Sequence, residues 1–210
     1  NLARGGYSTY RLLPNGTATP SDRPAPDTSR NITKALSLNP QAIIINLPSN
    51  DVSAGFSVLE QLDNFTLIVA AAQQAAIPIW VCTTQPKNYG GNMIPIQKQL
   101  DVRDSILARY GTMALDFWTG LAGSDNQLDP NYDSGDGTHL NNAGHYLLFS
   151  RVQAANLPDF LWMPPNYVDY SVEALVAEIA PEWGGAQSKY RLEISNRGLD
   201  DTADIPITLE

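Results

Sequence analysis

A chain of 210 residues with 43% apolar and 9% aromatic residues carries enough apolar material for one full domain and part of another. Its formal net charge of −9 argues against nucleic acid or an anionic membrane as the main partner, because both select basic surfaces. A single cysteine, Cys82, rules out an internal disulfide, and the longest apolar stretch, residues 67–82, is broken by Gln73, Gln74 and Pro78 and does not read as a membrane span.

The first thirteen residues hold paired glycines among small polar residues, and residues 15–29 form a Pro/Ser/Thr-rich loop. Asp27 to Ser29 are good N-caps, so a helix is expected to start there. Residues 42–47 are an unbroken apolar run, the pattern of a strand buried on both faces. A helix over 57–76, closed by Pro78, leads to a second buried strand over 77–83 that holds Cys82 as an inert buried thiol. The next helix, 95–111, places Ile96, Leu100, Leu107 and Tyr110 on one stripe, with Gly111 as its cap. A third strand over 112–118 and a helix over 141–157, whose Leu147, Leu148 and Val152 can face a sheet, complete the alternation. Strands alternating with helices in this way predict an α/β fold with a parallel sheet covered on both faces. Ligands then bind beyond the carboxyl ends of the strands.

Near residue 160 the pattern changes. Residues 161–170 read as a linker or an edge wrapping the domain, and residues 189–195 and 204–210 alternate apolar with polar, as antiparallel strands with one wet face do. Two or three such strands are too few for a sandwich. The expected division is therefore a domain over 1–165 and the beginning of an all-β, Ig-like module over 171–210.

Both histidines of the chain lie in the stretch from Asp136 to His145, DGTHLNNAGH. Asp136 and His139 can share one tight turn, where the carboxylate fixes the imidazole tautomer and leaves the other ring nitrogen to accept a proton. The plainer alternative is a helix-capping acid followed by a surface histidine. His145, inside the expected helix, reads as a packing or capping residue. The acids and imidazoles Asp129, Asp133, Asp136, His139 and His145 match neither the calcium-loop spacing nor HExxH, so no metal is expected. Asn50 leaves the end of the first strand, where its amide can donate to an oxyanion or cap a turn. Gly6 sits in a tight turn, either offering a backbone N–H or simply needing positive φ. Gln85, Asn88 and Tyr89 follow the second strand and read as ordinary loop residues, with pocket lining as the alternative. Asn15, Asn31 and Asn64 each fit the glycosylation sequon.

The order N-L-x-x-x-G-x-S-T, N-L-x-x-N-D and D-G-T-H-L-N-x-x-G-H resembles the SGNH (GDSL-type) esterase and lipase superfamily over roughly residues 1–160. The resemblance implies a three-layer, flavodoxin-like α/β/α sandwich. It implies His139 as general base, Asp136 as its orienting acid, and the Gly6 N–H and Asn50 side chain as oxyanion donors, with no cofactor or metal. Two departures stand out. Pro48 occupies the position where the family usually has a glycine, and no Gly-Asp-Ser block is present, nor a G-x-S-x-G elbow. Gly123-Ser124-Asp125 only imitates that block, and the family gives neither Ser8 nor Ser49 the nucleophile's role.

The expected function is ester hydrolysis through an acyl-serine whose serine lies outside these residues, so the 210 residues alone are expected to be unstable and inactive. The expected substrate is a small-molecule or polysaccharide ester, met outside the cell or at its surface; nothing indicates the acyl chain, the leaving alcohol or the oligomeric state. Two other readings stay open: a non-catalytic carbohydrate-binding or adhesion protein with an esterase-like shell, and a metal-dependent hydrolase.

Overall fold

The structure, a computed structural model, describes residues 2–47, 49–155 and 157, and the backbone of residues 170–177 and 190–196. Two units separate along the chain, Asn1–Leu157 and Pro158–Glu210. The first runs α1 (Thr9–Leu12), α2 (Ile32–Leu36), β1 (Ile43–Ile45), α3 (Asn50–Ser53), α4 (Val58–Gln74), β2 (Ile79–Cys82), α5 (Met93–Tyr110), β3 (Ala114–Leu115) and α6 (Asn142–Ala154).

The three strands are parallel in the order β1-β2-β3, with Ile44 opposite Trp80 and Cys82 opposite Leu115. Every residue of the central β2 is buried. Its period of two sends Ile79 and Val81 to one face, where α4 contributes Leu62, Phe65, Ile68 and Val69 and α5 contributes Val102 and Ile106. Trp80 and Cys82 point to the other face and pack with Leu115, Phe117 and Leu148 of α6. Helices therefore cover both faces of a parallel sheet, as the alternation predicts, and Leu147 and Val152 flank Leu148 at the edge of that second cluster. Each large aliphatic side chain buried here stabilises the fold by about 1.5–3 kcal/mol.

Helix ends follow local chemistry. Ser57 and Glu60 form a reciprocal capping box at the start of α4. At its end Ala76 takes φ 55, Ile77 N–H donates to the Ala72 carbonyl, and Ala76 N–H donates to Gln73. That pair of bonds is a Schellman cap, so Pro78 follows a helix already closed. Among the described residues no helix is long and apolar enough to cross a membrane.

Four sequence expectations shift. The run over 42–47 is not buried on both faces: among the described residues β1 is an edge strand, and Ile44 is 43% exposed. The expected third strand shortens to two residues because residues 111–113 wind into a 3-10 turn, after which Phe117 N–H bonds the Thr83 hydroxyl rather than a strand neighbour. The buried stripe of α5 is Ile96, Gln99, Val102 and Ile106, while Leu107 is exposed. Gln99 is the cause: its amide donates to the Gln85 carbonyl at 3.0 Å, which draws a polar residue into the core-facing row. Finally, α2 begins at Ile32 behind Asn31, whose side chain accepts the Lys34 N–H, because the Asp27 carbonyl and carboxylate are used in the preceding turn. Asn31 and Asn64 are both buried, which leaves Asn15 as the exposed asparagine of the three sequons.

In the second unit β4 (Tyr170–Ala177) pairs antiparallel with β5 (Tyr190–Asn196), with an irregularity between Val172 and Ala174. β5 falls where alternation predicts a strand, whereas β4 was not expected. Residues 161–169 of the expected linker and the strand expected over 204–210 lie outside the described residues.

Candidate active site

The loop between β3 and α6 is built on carboxylates that accept backbone N–H groups. Asp133 accepts from Gly135 at 2.9 Å, Asp136 at 3.2 Å and Gly137 at 3.0 Å. That fan curls the chain so that Asp136 Oδ1 accepts the N–H groups of Thr138 at 2.9 Å and His139 at 2.8 Å. Asp136 Oδ2 then lies 2.6 Å from His139 Nδ1. The His139 N–H, then its ring, hold the Asp136 carboxyl well down, at about 2. An ionised partner needs a donor, so Nδ1 carries the hydrogen, and in the neutral ring the lone pair is then on Nε2. The pair stays open to solvent, with side chains 77% and 52% exposed for His139 and Asp136.

The turn is clamped from both sides. Asn88 N–H donates to the Gly137 carbonyl at 2.7 Å, and Gly137 has φ 70 with no room for a side chain. On the far side Asn141 donates to the carbonyls of Asn131 and Asp133 and accepts the Gly144 N–H as N-cap of α6. The helix-capping role thus belongs to Asn141, and Asp136 is free of it.

At the carboxyl end of β1, Asn50 opens α3 and donates from Nδ2 to the Tyr7 carbonyl at 2.8 Å. Gly6 precedes Tyr7 with φ 79, a conformation that a glycine adopts without strain. The Tyr7 hydroxyl bonds Asp27, whose carboxyl is held at about 2 by the Ser29 hydroxyl and by Tyr7. Gly6, Asn50 and His139 all line one cavity of about 720 Å³. Its apolar side includes Ile43, Ile44 and Ile45 of β1 together with Ile32 and Ala35 of α2. The edge of β1 therefore faces the same space as the three polar groups.

Other residues fall as follows. Gln85 and Thr138 also line the cavity. Asn88 instead braces Gly137, and Tyr89 N–H donates to Gln127. His145 is exposed and lines the cavity, neither packed in the core nor capping a helix, because α6 begins at Asn142 and turns this position outward. Ser8 and Ser49 are each only 6% exposed, and Ser124 stands exposed in a turn. Cys82 is enclosed, and burial pushes its thiol far up. Among the described residues no three His, Cys, Asp or Glu side chains gather as metal ligands. Pro48 lies outside the described residues. Sequence reasoning passed over the supporting roles of Asp133, Asp51 and Thr9. Of these only Asp133 had a local signal, since an aspartate before two glycines is disposed to bond its own turn.

The model of the GDSL-like lipase/acylhydrolase family matches residues 1–147, which include every polar group of this cavity. Solved structures with a similar fold include a GDSL-like lipase from Bacteroides thetaiotaomicron, at 19% identity and a TM-score of 0.53, covering 60% of this chain and 67% of that one. A carbohydrate esterase of family 3 from Talaromyces cellulolyticus aligns at 15% identity and a TM-score of 0.54, over 74% of this chain and 69% of its own. An acetyl esterase, crystallised as a mutant with acetate, gives the same identity, score and coverage. No curated protein sequence matches the chain.

Proposed function

The chain belongs to the GDSL-like lipase/acylhydrolase family, and we propose that it carries the base and the oxyanion donors of a serine ester hydrolase. The observation behind this reading is that Gly6, Asn50 and His139 line one cavity, although they come from three distant parts of the sequence. The serine is supplied by a segment outside these 210 residues, as a further parallel strand along the outer edge of β1. The apolar flank of the cavity and the exposure of Ile44 support that placement.

In the cycle, serine Oγ attacks the ester carbonyl while His139 Nε2 takes its proton. Asp136 holds the ring and favours the imidazolium that results. The carbonyl oxygen becomes an oxyanion, received by the Gly6 N–H and by the second N–H of the Asn50 amide, the first being bonded to Tyr7. His139 gives its proton to the departing alcohol. Water then attacks the acyl-serine with His139 again as base, the bond from carbonyl carbon to Oγ breaks to release the acid, and His139 returns the proton to Oγ. This chemistry needs no metal or organic cofactor.

An ester on a carbohydrate is the substrate we favour, in a protein that works outside the cell or on its surface. The carbohydrate esterase and acetyl esterase among the fold's relatives, and a strand pair following the first unit, support it. In this reading residues 1–165 form the hydrolase domain and residues 171–210 begin an Ig-like module.

The test is intact mass of the natural polypeptide before and after a fluorophosphonate, with hydrolysis of p-nitrophenyl acetate followed in parallel. One adduct mapping upstream of Asn1, together with turnover, is the expected result. A natural polypeptide that neither hydrolyses the ester nor takes the label would overturn the enzyme and leave an esterase-shaped carbohydrate binder.

A further inference from the structure

Directly after Asn50 stands a carboxylate that the proposed cycle does not use. Asp51 is 3% exposed, and both its oxygens accept the Thr9 N–H at 3.0 Å. Its Oδ1 also accepts the Thr9 hydroxyl at 2.6 Å. That hydroxyl in turn accepts from Asn64 Nδ2 of α4 at 2.9 Å, and Asn64 is itself buried. Thr9 stands three residues after Gly6, and Asp51 one residue after Asn50. The Asn50 amide meanwhile bonds the Tyr7 carbonyl at 2.8 Å. Two bridges therefore join the Gly6 loop to the Asn50 helix, and the second is anchored to α4 through Asn64.

As a source of stability this is an unfavourable choice. A carboxylate taken out of water is destabilised unless a cation or enough donors meet it. Burial disfavours ionisation of Asp51 most, the Thr9 donors offset part of that, and the nearby acid Glu60 of α4 adds to the cost. What a carboxylate does offer is strong bonds that grip a backbone N–H and its own side-chain hydroxyl at once, fixing that residue in place. The residue so gripped opens α1, three residues after Gly6, and so fixes the end of the turn that presents Gly6.

We infer that Asp51, acting through Thr9, is a positioning residue that sets the spacing and aim of the Gly6 and Asn50 donors. This rests on the esterase reading above. Transition-state stabilisation is sensitive to such spacing, because donors must meet the oxyanion rather than the ground-state carbonyl. Loosening the bridge should therefore weaken binding of the tetrahedral state more than binding of the ester.

The experiment uses the natural, serine-containing polypeptide with Asp51→Asn, Thr9→Val and Thr9→Ser. Active sites are titrated with fluorophosphonate, kcat and KM are measured on p-nitrophenyl acetate, and affinity is measured for an alkylboronic acid that forms a tetrahedral serine adduct. Asp51→Asn and Thr9→Val should lower kcat per titrated site by about 10- to 100-fold with KM changed less than about twofold. Boronate affinity should fall by a similar factor, and Thr9→Ser should restore both. If Asp51→Asn does not fold, Thr9→Val decides by the same readings. A merely structural bridge would lower the melting temperature and the fraction of titratable sites while kcat per site and boronate affinity stayed at wild-type values, and that result overturns the inference. An inactive wild type removes the esterase reading and this inference together; an active wild type with unaffected variants removes this inference alone.

Discussion

Two glycines and two aspartates show how single positions set the site. Gly137 has φ 70, and a Cβ there would stand 2.8 Å from Asn88 Cβ. Gly137→Ala thus combines backbone strain with a contact that must be relieved by moving the Asp136–His139 turn. Thermal unfolding should show a loss of about 1–3 kcal/mol, and turnover in the serine-containing polypeptide should fall by about tenfold or more. Gly6 also has positive φ, yet nothing lies within 4 Å of its Cβ position, so its constraint is conformational alone. Asp51 makes stability depend on pH. Burial raises its carboxyl to about 6 in the fold, against about 3.9 in an unfolded chain. Between those values the folded state holds a proton that the unfolded state has lost, so stability falls as pH rises through the window. The group's share is at most about 2–3 kcal/mol. Urea unfolding at about pH 4 and about pH 7 should show this slope, flattened by Asp51→Asn. Asp136 acts with the opposite sign: its contribution is present above its unfolded value and is lost as pH falls towards about 2, below that window.

Among the elements, α4 shows a local choice that tertiary structure does not require. Ala76 closes it at φ 55, where a side chain is strained and a glycine is not. Ala76→Gly should raise stability by about 1 kcal/mol in urea unfolding, with secondary structure unchanged. No change would mean that the strain is relieved elsewhere in the cap. At the start of the same helix Glu60 does more than complete the capping box: it accepts from Arg23 at 2.7 Å and from Tyr10 at 3.0 Å, joining α4 to the N-terminal segments. In α5 the lesson runs the other way. A stripe chosen by hydrophobicity misses Gln99, because an amide enters a core row only when a specific carbonyl waits there.

For the first unit the edge of β1, which pairs with no further strand among the described residues, is decisive. An apolar edge strand beside a cavity of about 720 Å³ is a surface that associates with other strands. If the proposed serine-bearing strand pairs with β1, the 210 residues alone should melt below the longer polypeptide, bind an apolar dye and associate as concentration rises, without hydrolysing p-nitrophenyl acetate. Calorimetry and sedimentation of both forms check this. Equal melting temperatures and a monomeric short form would argue that β1 needs no further strand.

The parallel α/β fold and the Asp136–His139 turn were legible in the sequence because both rest on near neighbours. Period-two and helical patterns reflect local burial, and two residues three apart on a tight turn can hardly avoid each other. That Asn50 stands at a strand's carboxyl end follows from the same local logic. The sharing of one cavity by Gly6, Asn50 and His139 was implied by the family resemblance but by no local spacing, and it is the tertiary structure that brings them together. The bond from Asp51 to Thr9, 42 residues away in sequence, and the burial of Gln99 were decided only by the tertiary structure. Such contacts depend on which distant backbone groups a buried polar atom meets, and no local spacing encodes that.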